Sequence, residues 1–342
     1  MVQDYSDFVA RQQADRILNQ QSGMARDAFQ VLHEIVRPMI DRFKSGRKIP
    51  RGGVVGAALP LLAKLQEHPA VVRAQINRIT EGRKCTVRES VVIRAVILGS
   101  VPDETGRPVL AFFACDMRLT RTSLKVAIHN LDLVVVRHVL VRHGIRERRV
   151  TGGFMTGLSR TVELSLPIGL MAAQVGEPMI ALPMASGLCL GRLHLVPNEI
   201  EPSEMVDAFS YGRRGGIRVA SPPPRPREEV ISKTRFHMVI RTYCDYDSLT
   251  GVRERLLARF ADLTARYDSV FGPLFDTFHF GDFIFEVPPG QTRDRLETET
   301  QVAINRLYDE VRDLLTSPDW RQFSAQARDG ETVRETPVHA VL

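Results

Sequence analysis

"SLKVAIHNLDLVVVRHVLVRHG", residues Ser123 to Gly144, supports two incompatible readings, and the fold turns on which one holds. Leu124, Ile128, Leu131, Val135 and Val139 recur at three- and four-residue steps, the spacing of one helical face. Against this, Val134-Val135-Val136 and Val139-Leu140-Val141 are β-branched-rich runs of the buried-strand type. Gly144 directly behind Arg142 and His143 matches a helix C-terminus, where cations meet the negative end of the dipole and glycine follows. On that ground helix is the preferred reading, with strand the alternative for 131–143.

Upstream, residues 1–82 read as a helical region. Phe29, Leu32, Val36 and Met39 or Ile40 fall at helical spacing, Gly46 is a stop, and Pro38 is expected to kink or break the segment. "VVGAALPLLAKLQEHPAVVRAQINRIT" then reads as two short helices split by Pro69. From Lys84 the pattern changes. "CTVRESVVIRAVILGS" and "RPVLAFFACDMRL" are β-rich and joined by the polar turn "VPDETGR", a hairpin signal. "RTVELSLPIGLMA" and "GEPMIALPMASGLCLGRLHLVP" supply further strands. Residues 84–210 are therefore expected to form a small antiparallel-sheet α+β domain.

Residues 211–229, rich in Gly, Pro and Arg, read as a linker, because such a stretch has little to bury. Behind it, 230–321 reads β-α-β-α. "TRFHMVIRTYCDY" and "FDTFHFGDFIFEVPPG" are its strands, and "SLTGVRERLLARFADLTARYDSVF" and "TRDRLETETQVAINRLYDEVRDLLTS" its helices. The polar stretch 322–342 reads as a flexible tail. The expected class is α+β, with a helical N-terminal region, a central antiparallel-sheet domain and a C-terminal α/β unit.

The chain has 342 residues and a net charge of +6, carried by 40 Arg and 6 Lys against 40 acidic residues. Arginine usage of this kind fits a GC-rich bacterial genome. The distribution is more informative than the total. Between Arg118 and Arg149, eight cations (Arg118, Arg121, Lys125, Arg137, Arg142, Arg146, Arg148, Arg149) face Asp132 and Glu147, which gives this window alone +6. Cys244 to Trp320 holds fifteen acidic and eight basic residues. Such segregation is the footprint of a polyanion-binding surface.

Few motifs survive inspection. Cys85, Cys115, Cys189 and Cys244 are too far apart for a local zinc cluster and sit in or beside apolar runs, as buried free thiols do. His138 and His143, five residues apart, lie about 140° apart on a helix and on opposite faces of a strand, so they do not share a metal. "RGGVVG" lacks the GK[ST] ending of a P-loop, and "GLSRT" lacks the second glycine of a nucleophile elbow. The DxSxxG layout of PilZ domains is not met, since Arg118 stands where serine belongs and Arg121 where glycine belongs. No cofactor or metal is expected. The absence of a signal-peptide core and of any 18-residue apolar run points to a cytoplasmic protein without membrane contact.

The leading expectation is a non-catalytic cytoplasmic binding protein that contacts nucleic acid or another polyanion through those arginines. One alternative is an enzyme directed at a phosphate ester, nuclease-like or nucleotide-acting, with His129, His138 or His143 as proton carrier. Another is a self-associating assembly protein or partner of another protein, built on the helices of 1–82.

Overall fold

The structure, a computed structural model, describes residues 2–68, 70–83, 86–103, 106–147, 152–184, 187–196, 208–211, 217–220, 235–245, 249, 251–280 and 293–331. The fold is α+β. Among the described residues there are seven helices and nine strands: α1 (Val2–Lys44), α2 (Val54–Glu67), β1 (Val71–Arg83), β2 (Thr86–Pro102), β3 (Pro108–Thr120), β4 (Leu124–Val135), α3 (Arg137–Glu147), α4 (Gly152–Val175), β5 (Met179–Met184), β6 (Gly187–Val196), β7 (Ala208–Tyr211), β8 (Ile217–Ala220), β9 (Arg235–Asp245), α5 (Val252–Phe280), α6 (Arg293–Thr316) and α7 (Pro318–Glu331). No helix among the described residues is long and apolar enough to cross a membrane.

One mixed sheet organises the chain, in the order β1-β2-β3-β4-β9-β6-β5. β1 to β4 form an antiparallel meander. The far half of β4 pairs in parallel with β9, while its first residues pair with the small β7–β8 hairpin. β9 also pairs antiparallel with β6. The strand read as opening a C-terminal unit thus lies inside the same sheet as the hairpin of 86–120.

Both faces of the sheet are packed. On one, α3 to α7 and the first part of α1 (Ala10, Ala14, Leu18) form the larger core with Leu110, Phe112, Leu131, Leu133 and Val135. On the other, the later part of α1 and α2 cover Val91, Ile93, Ile97, Met117, Val126 and Ile128. β2 is buried from Ser90 to Ser100, which matches its nearly unbroken apolar run.

The preferred helix over 124–143 is corrected: Leu124–Val135 is a strand, and helix begins at Arg137. Leu124, Val126 and Ile128 enter the second core, Leu131, Leu133 and Val135 the first. The extra residues around Asp132, which has φ 55°, let β4 serve both cores. Picking one or two residues from each set (124, 128, 131, 135) mimics a helical 4-3-4 spacing. Gly144 is an interior residue of α3 rather than its stop.

Other expectations are corrected for equally physical reasons. Pro38 does not end α1, because Leu32, Ile35, Val36, Met39, Ile40 and Phe43 bury one stripe on both sides of it. Residues 71–82 belong to β1, not to a second helix, since their β-branched residues pair along the whole of β2. "RTVELSLPIGLMA" lies in α4; its helix is buried nearly all round from Thr161 to Gly169, so it carries no one-sided stripe. Phe275–Phe280 continues α5 instead of starting a strand, and 281–290 lies outside the described residues. Residues 322–331, read as tail, complete α7, with Trp320 and Phe323 fully buried. Of 211–229, Tyr211 closes β7 and Ile217–Ala220 forms β8.

Candidate polyanion-binding site

β4 separates the arginine-rich window into two groups. Lys125 stands near its start and α3 follows its end, and at about 3.4 Å per residue the strand puts roughly 30 Å between them. His129 occupies the ladder position opposite Ala114, between the two groups.

At the α3 end the charges are engaged locally. Arg137 donates from Nε and Nη2 to both oxygens of Asp15, at 2.6 and 2.8 Å, tying α3 to α1. Arg142 Nε donates to His138 Nε2 at 3.3 Å, one turn away. His143 is 1% exposed and tilts against Tyr243 at 5.0 Å between ring centroids, so it helps pack α3 on β9. Arg146 falls in the last turn of α3, but its side chain, like the whole of Arg148 and Arg149, is outside the described residues.

Arg137's hydrogen bond holds the Asp15 carboxyl below its ordinary value of 3.8, against a smaller opposing effect of burial. A depressed carboxyl contributes stability above its unfolded pKa and loses it as pH falls through the folded value. Both side chains are two-fifths exposed or more, so solvent screening limits the pair to less than about 1 kcal/mol. Asp15→Asn is expected to lower stability by that amount at neutral pH. Its urea midpoint is expected to converge with the parent's once Asp15 is protonated, well below pH 3.8. A deficit that persists there would show that the pair is not the cause.

The other group surrounds the tip of the β3–β4 hairpin. Arg118 and Lys125 are direct ladder partners, and so point to the same side. Like charges in that relation repel, and neither has an ionic partner among the described residues. Lys125 is exposed and Arg118 half-buried. Beyond Lys125, the register continues to Ser210 of β7 and then to Arg218 of β8.

Inward from this pair, cations are matched. Arg94 is 3% exposed and lies across the ladder from Asp116 on one side and Gln75 on the other. Arg73 is ion-paired with Glu163 of α4, and also donates to Gln75 Oε1 at 2.6 Å. Burying such guanidinium groups is tolerable only with these acids and amides around them.

The structure adds residues that sequence reasoning missed. Arg121, at the hairpin tip, donates from Nε to the Ile49 carbonyl at 3.1 Å, while the Ile49 N–H donates to the Arg121 carbonyl at 2.9 Å. This two-way tie, with Ile49 itself buried, fixes the α1–α2 connector against the hairpin. That connector carries exposed Arg47, Lys48 and Arg51, and Lys44, the last residue of α1, is exposed beside it. A legible signal existed: between Asp41 and Glu67 the sequence has six cations and no acid.

Two of the thiols are buried and unactivated. Burial pushes the Cys189 thiol up to about 12 and raises the Cys115 thiol as well, so both stay protonated. Among the described residues no three His, Cys, Asp or Glu side chains are grouped to hold a metal ion. Compared with known proteins, the chain matches no family model, no curated protein and no solved structure.

Proposed function

We propose that this chain is a non-catalytic cytoplasmic binding protein that holds nucleic acid or another polyanion around the β3–β4 hairpin tip, through Arg47, Lys48, Arg51, Arg118, Arg121 and Lys125. The reciprocal Ile49–Arg121 bonds carry the reading, because they tie the α1–α2 connector, with its exposed cations, to the hairpin tip some seventy residues further on, while Arg118 and Lys125 flank that tip on the other face of the sheet. The free thiols Cys115, Cys189 and Cys244 fit a reducing compartment.

If six cations contact phosphates, affinity for duplex DNA is expected to fall on the order of a thousandfold between 50 and 200 mM salt. Lys48→Glu with Lys125→Glu should flatten the slope of log affinity against log salt by about two. Anisotropy titrations at several salt concentrations measure both. Binding indifferent to salt, or unchanged in the double variant, would remove the proposal.

A further inference from the structure

The first ten residues of α2, 54–63, contain no polar side chain. Successive helical residues turn by about 100°, so Val54, Ala58, Leu61 and Leu65 share one face, and all are buried in the second core. Gly56, Leu59, Pro60 and Ala63 share the opposite face, and all four are exposed. Leu59 is 49% exposed, and a Cβ added at Gly56 would meet nothing within 4 Å. Val55, Ala57 and Leu62 are the half-buried shoulders between the two faces. A helix packed on a core turns polar residues to solvent, and one that is apolar all round is normally enclosed. Over about three turns, α2 is apolar all round with one side open.

Positive charge brackets this open face. Exposed Lys44, Arg47, Lys48 and Arg51 precede it, exposed Lys64 follows it, and no acid intervenes before Glu67 at the end of the helix. These cations have no ionic partner among the described residues. Of the acids on α1, Asp41 is ion-paired with Arg37 at 3.8 Å, and Glu34 lies toward His68, at the opposite end of α2 from the connector.

We infer that α2 and the α1–α2 connector form a contact site for the surface of an anionic phospholipid bilayer, with Leu59 and Pro60 at the acyl boundary and the cations among the headgroups. Charge complementarity selects an anionic surface. Size selects lipid over protein, because four side chains, none larger than leucine, fall far short of the roughly 800 Å² per partner that a stable protein interface buries. The apolar face selects lipid over nucleic acid, whose phosphates engage cations and hydrogen-bond donors. In a bilayer a shallow apolar insertion and electrostatic attraction reinforce each other. The expectation of no membrane contact rested on the length needed to span. Ten helical residues, about 15 Å long, are too few to cross a bilayer but enough to lie along its surface. Arg47, Lys48 and Arg51 also belong to the proposed polyanion site, so the contact rests on that reading for its cations, though not for its apolar face.

The test keeps the two apart. The whole chain is sedimented at low salt with vesicles of phosphatidylcholine, alone or with about one-third phosphatidylserine, and duplex DNA is titrated in parallel. Binding is expected on the anionic vesicles only. Leu59→Gln is expected to weaken it about tenfold and to leave the urea midpoint and the DNA affinity unchanged, since Leu59 lies outside both the core and the proposed phosphate contacts. Lys48→Glu with Arg51→Glu is expected to weaken it about a hundredfold or more, each basic residue near the surface contributing about fivefold. Leu59→Trp reads insertion directly. The chain's own tryptophan, Trp320, is fully buried, so a blue shift of emission on adding anionic vesicles reports position 59.

DNA binding without vesicle binding would overturn the lipid contact and leave the polyanion reading standing, whereas loss of both would overturn both. Vesicle binding that ignores Leu59→Gln, an unshifted spectrum in the Leu59→Trp variant, or equal weakening of DNA and vesicle binding by Leu59→Gln would each overturn the lipid contact as well.

Discussion

Gly191→Ala is expected to cost the chain about 3 kcal/mol or more, read as a drop in the urea midpoint or as failure to accumulate folded protein. A Cβ at this position would lie 2.2 Å from the Val239 carbonyl oxygen and 2.9 Å from the Ile240 Cα. Those are backbone atoms of β9, and β9 cannot retreat because it is hydrogen-bonded to β4 on its other edge. The close approach comes from the irregularity between Leu190 and Gly191, where Arg241 is the extra residue of β9. Gly56→Ala is the matched control. It sits exposed inside α2 with nothing within 4 Å of its would-be Cβ, so alanine should stabilise by about 0.5–1 kcal/mol. Equal midpoints for the two variants would sink the strand-contact explanation.

The second large effect concerns Trp320, the one tryptophan of the sequence. Its ring is fully buried in α7, edge-on to Phe260 of α5 at 6.3 Å and to Phe323 at 5.5 Å. Trp320→Ala is expected to cost about 3–5 kcal/mol through lost burial and the cavity left behind. Trp320→Phe should cost markedly less. The indole Nε1 is buried without a hydrogen-bond partner among the described residues, so its removal relieves a penalty of about 1–3 kcal/mol while the ring stack is kept. Chemical unfolding followed by circular dichroism compares the variants, and Trp320 fluorescence reports the docking of α7 in the parent. An alanine variant as stable as the parent would mean that α7 is not integral to the core.

Much of this architecture can be read directly from residue order, and the exceptions share a cause. The β2–β3 hairpin was legible because two long apolar runs flank a polar turn, and α5 and α6 because a one-sided stripe repeats every three to four residues. Elements buried on more than one side escape such rules. In α4 the alternation of Val162, Leu164 and Leu166 with Glu163 and Ser165 resembles a strand, and in β4 the change of face at Asp132 produces false helical spacing. Both errors arise where packing is decided by partners distant in sequence. The binding residues divide in the same way. Arg118 and Lys125 stand out by local charge, yet the approach of the connector carrying Arg47, Lys48 and Arg51 to the same hairpin depends on Ile49 meeting Arg121, which no local pattern encodes. Arg137 belonged to the same charged window, but Asp15 of α1 claims it.

The place of β9 has a consequence for how the polypeptide is made. Synthesised last among the described strands, it fills the gap between β4 and β6 and joins the sheet's two halves. Until residue 245 has been translated, a nascent chain presents two open edges of hydrogen-bonding groups with no occupant between them, the condition that invites wrong partners. Closing the β4–β9 contact then spans roughly a hundred residues of chain, so maturation should be slow for a molecule so rich in helix. A fragment ending before Arg235 should accordingly collect in aggregates instead of behaving as a trimmed native protein.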